Sequence, residues 1–136
     1  MNGLILGLLG NAGCGKDTVA NMICSHTGAT LIALANPLKE ICRTVFDFSH
    51  EQLCGPSEKR NAPDPRYTRA DGKQLTTRYA LQKLGTEWGR DCYPDVWIDL
   101  GIRNAKKLFL QPVPAPLVVI TDVRFINEAE VGKHLV

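Results

Sequence analysis

The sequence predicts an α/β fold, a small parallel sheet with helices on both faces. Three observations predict it. A short apolar run, Leu4-Ile5-Leu6-Gly7-Leu8-Leu9, feeds the glycine-rich stretch Gly10-Asn11-Ala12-Gly13-Cys14-Gly15-Lys16-Asp17-Thr18. A second apolar run, Leu117-Val118-Val119-Ile120-Thr121, is rich in β-branched residues and ends in Asp122. Between them, segments with helical spacing alternate with breaks.

The glycine-rich stretch sits between a strand-like and a helix-like segment, the setting of a phosphate-binding P-loop. Gly10, Gly13 and Gly15 reach backbone angles closed to other residues, so successive N–H groups can turn toward an anion. The helix that follows adds its positive end. Lys16 adds a point charge for nucleotide phosphates. The strict pattern has Ser or Thr directly after the lysine; here Asp17 intervenes and Thr18 follows. A magnesium ion held mainly through water and phosphate oxygens suits that variant. The alternative is a glycine-rich turn without a ligand.

The remaining elements follow in order. Residues 3–9 read as a buried parallel strand and 16–26 as a helix stopped near Gly28. Residues 30–34 read as a second strand. Asn36 caps a helix with Pro37 at its first position, running to about Phe46. Its core stripe is Leu38, Ile41, Cys42 and Val45, with Lys39 and Arg43 elsewhere. Ser49 caps a short turn through Leu53.

From Gly55 to about Leu75, Pro56, Pro63, Pro65 and Gly72 break any regular element. This stretch carries Lys59, Arg60, Arg66, Arg69 and Lys73. It reads either as a solvated loop or as a mobile basic flap that closes over an anionic substrate. Thr76 or Thr77 opens a helix to about Arg90, with the apolar stripe Leu81, Leu84 and Trp88. Arg78, Gln82, Gly85 and Gly89 fall on another line, where a ligand or a second helix can come close. Pro94-Asp95 opens a helix to about Phe109. Asp122 ends the third strand as a Walker B carboxylate does, facing a magnesium site, with Arg124 two residues on. The other reading of Asp122 is a capping or turn residue. Asn127 to Val136 reads as the start of one more helix.

At 136 residues the chain reads as one domain. An apolar content of 44% allows a real core. A net charge of +2 argues against a nucleic-acid polymer as partner. Five scattered cysteines form no C-x-x-C pair, so neither a zinc ribbon nor a redox motif is expected. Reduced thiols in the cytoplasm are the simplest reading. The start of the chain does not read as a signal peptide. No apolar stretch approaches the roughly 20 residues of a membrane span.

Four segments together carry a resemblance. They are the stretch from Gly10 to Thr18, Ala35-Asn36-Pro37-Leu38-Lys39-Glu40, Leu81-Gln82-Lys83-Leu84-Gly85-Thr86-Glu87-Trp88-Gly89-Arg90, and Asp122-Val123-Arg124-Phe125-Ile126-Asn127-Glu128. Across nearly its whole length the chain resembles the phage-type deoxynucleoside monophosphate kinases. The resemblance implies a three-layer P-loop kinase fold, ATP with magnesium as donor, a deoxynucleoside monophosphate (dNMP) as acceptor, and a phage or prophage origin in a bacterial cytoplasm. Phosphomevalonate kinases share the GKD-type loop, a PLKE-like segment and a D-x-R element; dephospho-CoA kinases are a more distant rival. A nucleotide-binding module without transferase activity is the rival of another class. Residues 10–18 would hold ATP, with Lys16 and Thr18 on its phosphates and Asp122 on hydrated magnesium. Lys39, Arg78, Arg90 and Arg124 would hold the acceptor phosphate, and Gln82 would read its base. Kinases of this type continue into further strands and an arginine-bearing lid, so the expectation is a chain that lacks them. The oligomeric state is left open, a homodimer included.

Overall fold

The computed structural model of the chain describes residues 3–9, 15–112 and 117–123. In chain order its elements are β1 (Leu4–Leu9), α1 (Lys16–Thr27), β2 (Thr30–Ile32), α2 (Asn36–Phe46), α3 (His50–Cys54), α4 (Ser57–Asn61), β3 (Pro63–Thr68), β4 (Gln74–Thr76), α5 (Thr77–Gln82), a π-helical segment (Lys83–Arg90), α6 (Val96–Phe109) and β5 (Leu117–Val123). Their contacts gather into two compact units. One is Met1–Leu34 with Tyr93–Val136, the other Ala35–Cys92.

The first unit is built on a parallel three-stranded sheet of order β1-β5-β2. Val118, Val119, Ile120 and Thr121 of the central β5 are buried in succession. Successive strand residues point to opposite sides, so both faces of β5 are covered. Helices α1 and α6 both pack on it. Gly101 lets α6 come close: a Cβ there would stand 2.6 Å from Leu34 Cδ2 and 3.8 Å from Ile120 Cδ1. Helix α1 stops where predicted, at Gly28 in the left-handed region.

One expectation for this unit does not hold. The run 3–9 predicts a buried strand, yet Leu4, Leu6 and Leu9 of β1 are exposed. Among the described residues, β1 has a strand neighbour on one side only. Apolar continuity marks a strand that could be buried on both faces; it does not supply the neighbours.

The second unit has its own core, Cys42, Phe48, Leu53, Leu75 and Ala80, with Phe46, Tyr67, Tyr79, Leu81 and Leu84 packed against it. Of the stripe predicted on α2, Leu38 and Cys42 are buried, while Ile41 and Val45 are exposed. Burial pushes the Cys42 thiol pKa up, so this sulfur is a packing group. Ser49 caps α3 as predicted, in a full capping box with Gln52.

Between Gly55 and Leu75 the structure has regular elements where the sequence predicts none: α4 and the antiparallel hairpin β3–β4. Proline is tolerated at the first residue of a strand and at bulges. Pro63 opens β3, and Pro65 falls where the pairing register shifts, between Asp64 and Thr68.

Side chains also anchor the hairpin. Asp64 is 4% exposed. Arg66 donates to both its oxygens, from Nε to Oδ1 at 3.1 Å and from Nη2 to Oδ2 at 3.0 Å. Gln52 Nε2 donates to Oδ2 at 2.9 Å. Arg66 Nη2 also donates to the Asp47 carbonyl at 3.1 Å, and the Tyr67 hydroxyl donates to the Phe46 carbonyl at 2.5 Å.

The Arg66 bonds first, and the Gln52 bond second, hold the Asp64 carboxyl well below the usual carboxylate range. An unfolded aspartate titrates near 3.9, so the folded value lies below the unfolded one. The stability this contributes is present above about pH 4 and lost as pH falls below it. A melting series from pH 6 downward should therefore steepen below about pH 4. Asp64→Asn should flatten that acid limb. Parallel acid limbs in the two proteins would contradict the assignment.

Candidate functional site

The first unit places Asp122 and the end of β1 together at the C-terminal edge of its sheet. Gly15 precedes α1 with φ 90 and ψ 14, a left-handed conformation open to glycine. The helix then opens at Lys16, and Thr18 is exposed in its first turn. Gly10, Asn11, Ala12, Gly13 and Cys14 lie outside the described residues, as do the side chains of Lys16 and Asp17. Leu9, the last residue of β1, pairs in register with Val123, the neighbour of Asp122. The end of β1 from which the chain departs toward α1 therefore lies beside Asp122.

Asp122 is fixed at that edge. Its Oδ1 accepts the backbone N–H of Leu34 at 2.5 Å, which ties β5 to the loop after β2. The carboxylate thus braces two neighbouring strand ends at the edge where open α/β sheets bind ligands. Arg124 lies outside the described residues.

The second unit carries further predicted residues. Lys39 is half-buried on α2, and its Nζ donates to Cys54 Sγ at 3.9 Å. Helix α2 packs on α5, which presents Arg78 and Gln82 one turn apart, both exposed. Beyond Gln82 the winding changes. In a π-helix each N–H bonds five residues back, so the faces rotate relative to an α-helix. Gly85 and Gly89 are buried, and Trp88 is 56% exposed. The stripe predicted for this helix keeps Leu81 and Leu84 on the core and loses Trp88. Arg90 is half-buried at the end of the π segment, and Lys83 pairs with Glu87 along it.

Sequence reasoning did not foresee a cationic cluster around Tyr79. The Arg69 guanidinium lies over its ring, 3.7 Å from the centroid, and Lys83 Nζ is 5.3 Å from the same centroid. Arg69 also pairs with Asp71. Arg69 and Tyr79 meet only because the hairpin folds back, and no periodicity in the chain encodes that.

Among the described residues, no group of three or more His, Cys, Asp or Glu is placed to hold a metal. No helix among them is long and apolar enough to cross a membrane. The four described cysteines, Cys24, Cys42, Cys54 and Cys92, are free thiols.

No family model matches the chain. It is similar to a protein of Acanthamoeba polyphaga mimivirus provisionally named a deoxynucleotide monophosphate kinase. The two are 33% identical over 139 residues, which span 97% of this chain and 69% of the viral protein. The matched length takes in both units, the opening of α1, the strand-ending Asp122 and the basic second unit, and the chain belongs to the deoxynucleotide monophosphate kinase family of that viral protein.

Proposed function

We propose that the chain transfers the γ-phosphoryl group of ATP to the phosphate of a deoxynucleoside monophosphate, giving the diphosphate. One observation carries this reading: the strand-ending Asp122, tied to Leu34, shares a sheet edge with the strand that leads into Gly15 and Lys16. That pairing of a carboxylate with a phosphate-binding helix start suits a magnesium nucleotide.

Phosphoryl transfer asks the protein mainly for positioning and charge neutralisation. Residues 10–18 cradle the ATP phosphates, with Lys16 as the fixed cation and Thr18 beside it. The single carboxylate of Asp122 fits magnesium that keeps several waters, and not an all-protein cage. Bound there through water, the ion would neutralise phosphate charge. Lys39, Arg78, Arg90 and Arg124 serve the acceptor phosphate and the charge in transit, and Gln82 meets the base. The acceptor phosphate is already an anion, so no general base is required. On this reading the first unit serves the donor and the second the acceptor, in the cytoplasm where ATP is plentiful.

The test is coupled turnover with ATP against deoxynucleoside and ribonucleoside monophosphates, phosphomevalonate and dephospho-CoA, beside an ATP-binding titration. Turnover on deoxynucleoside monophosphates is expected. ATP binding without turnover on any acceptor would leave a binding module. Turnover confined to phosphomevalonate or dephospho-CoA would overturn the acceptor class.

A further inference from the structure

The helix that starts at Thr77 holds two windings without a break. Residues 77–82 are α-helical, 83–90 are π-helical, and Asp91 and Cys92 are α-helical again. A π winding is rare and is mostly confined to a single turn inside an α-helix. Eight residues exceed one turn, so this segment calls for an explanation.

The spacing of its residues belongs to the other winding. On an α-helix, residues three, four and seven apart share a face. Leu81, Leu84 and Trp88 stand at those spacings, and so do Gln82, Gly85 and Gly89. The structure breaks both lines at one place. Leu81 and Leu84 pack against the second unit's core, while Trp88 is 56% exposed. Gln82 is exposed, while Gly85 and Gly89 are buried. One cause accounts for both breaks: from Lys83 onward each residue is turned away from its α-helical place.

Two features leave the α winding within reach. Leu81 and Leu84 are only half-buried, so they keep apolar surface that the Trp88 indole would cover. The exposed indole forgoes that burial. Lys83 pairs with Glu87 four residues on, the spacing of neighbours on an α-helix, so the pair does not oppose the change.

We infer that residues 83–90 are a two-state element. In the ligand-free chain they are π-wound with Trp88 outward. With a deoxynucleoside monophosphate bound they are α-wound, with Trp88 laid on Leu81 and Leu84. The change moves each helical N–H from the carbonyl five residues back to the one four back. A ligand shifts such an equilibrium only through unequal affinity for the two states. Gln82 and Arg90 lie at the two ends of the segment, so their relative direction differs between the windings. A ligand that meets both distinguishes the two states. That this ligand is the monophosphate rests on the function proposed above; the two windings do not.

The test reads the winding itself, by NMR on the isotope-labelled full chain. Without ligand, the Trp88 amide should couple through its hydrogen bond to the Lys83 carbonyl. At least one of dAMP, dGMP, dCMP and dTMP should move that coupling to the Leu84 carbonyl. It should also bring nuclear Overhauser contacts from the indole to the Leu81 and Leu84 methyls. ATP alone should do neither, and a shift with ATP alone would overturn the choice of ligand. Trp88→Ala should melt as the parent, since the indole is exposed. It should still raise KM for the monophosphate by about tenfold or more, because it removes what favours the α winding. A parental KM in that variant would overturn the inference. So would a Leu84 coupling already dominant without ligand, or indole contacts to the nucleotide base in place of the leucines. A coupling that stays on Lys83 with every monophosphate, in a protein that turns over, would sink the switch and leave the kinase reading standing. A coupling that shifts in a protein without turnover on any acceptor would support the switch and sink the kinase reading alone.

Discussion

Replacing Lys16 by alanine should lower turnover by about 10²–10³-fold, the scale of losing one preorganised charge from a site of this kind. The residue opens α1, directly after the left-handed Gly15, where the helix's own N–H groups already favour an anion. On the proposed reading, those groups would bind phosphate in the ground state and in the transition state alike. A lysine placed at the β- and γ-phosphates contributes most where charge grows during transfer. Alanine is a good helix former, so stability should move by about 1 kcal/mol or less. Initial rates and a melting curve on the same preparation check both halves. A variant with near-parental turnover would remove the loop from the mechanism.

Asp122 separates two roles that one carboxylate can play at once. Asp122→Asn keeps an oxygen that can accept the Leu34 N–H. It should therefore fold normally and still lose turnover by about 10²-fold or more, because the charge that orients hydrated magnesium is gone. Asp122→Ala removes the acceptor too. It should lose the same activity and a further 1–3 kcal/mol or so of stability, the cost of leaving a backbone donor without its partner. If Asp122 were only a brace between β5 and the loop after β2, the asparagine variant would be almost fully active. Comparing the two variants in rate and in melting temperature decides between the readings.

Local signals were legible in the sequence, and long-range ones were not. The β-branched run that became β5 and the stop of α1 at Gly28 could both be read because each depends on residues within one turn or strand. The Ser49 cap of α3 was legible for the same reason. The hairpin was hidden by its prolines, which are tolerated only because Pro63 begins a strand and Pro65 sits at a bulge. The partners that fix it, Asp64 with Gln52 and Arg66 with Asp47, are 12 and 19 residues apart. The π winding after Gln82 turned Trp88 outward, and nothing in an α-helical count foretells that rotation.

The proposed site divides the same way. That Asp122 lies in a strand, that a helix opens at Lys16 and that Arg78 and Gln82 share an exposed helix face could be read from motif and spacing. The difference between Arg66, which is paired, and Arg60 and Arg69, which keep buried donors unpaired, could not. All three are arginines in one basic stretch, and only the folded hairpin tells them apart.

The central claim is that a phosphoryl group passes from ATP to a monophosphate on this chain. The most direct measurement follows the γ-phosphoryl label itself, with labelled ATP, magnesium and each deoxynucleoside monophosphate in turn. The account predicts label in the matching deoxynucleoside diphosphate, formed in step with ADP and lost in Lys16→Ala. Label that stays in ATP with every acceptor, or that is released only as inorganic phosphate while ATP binds normally, would contradict it.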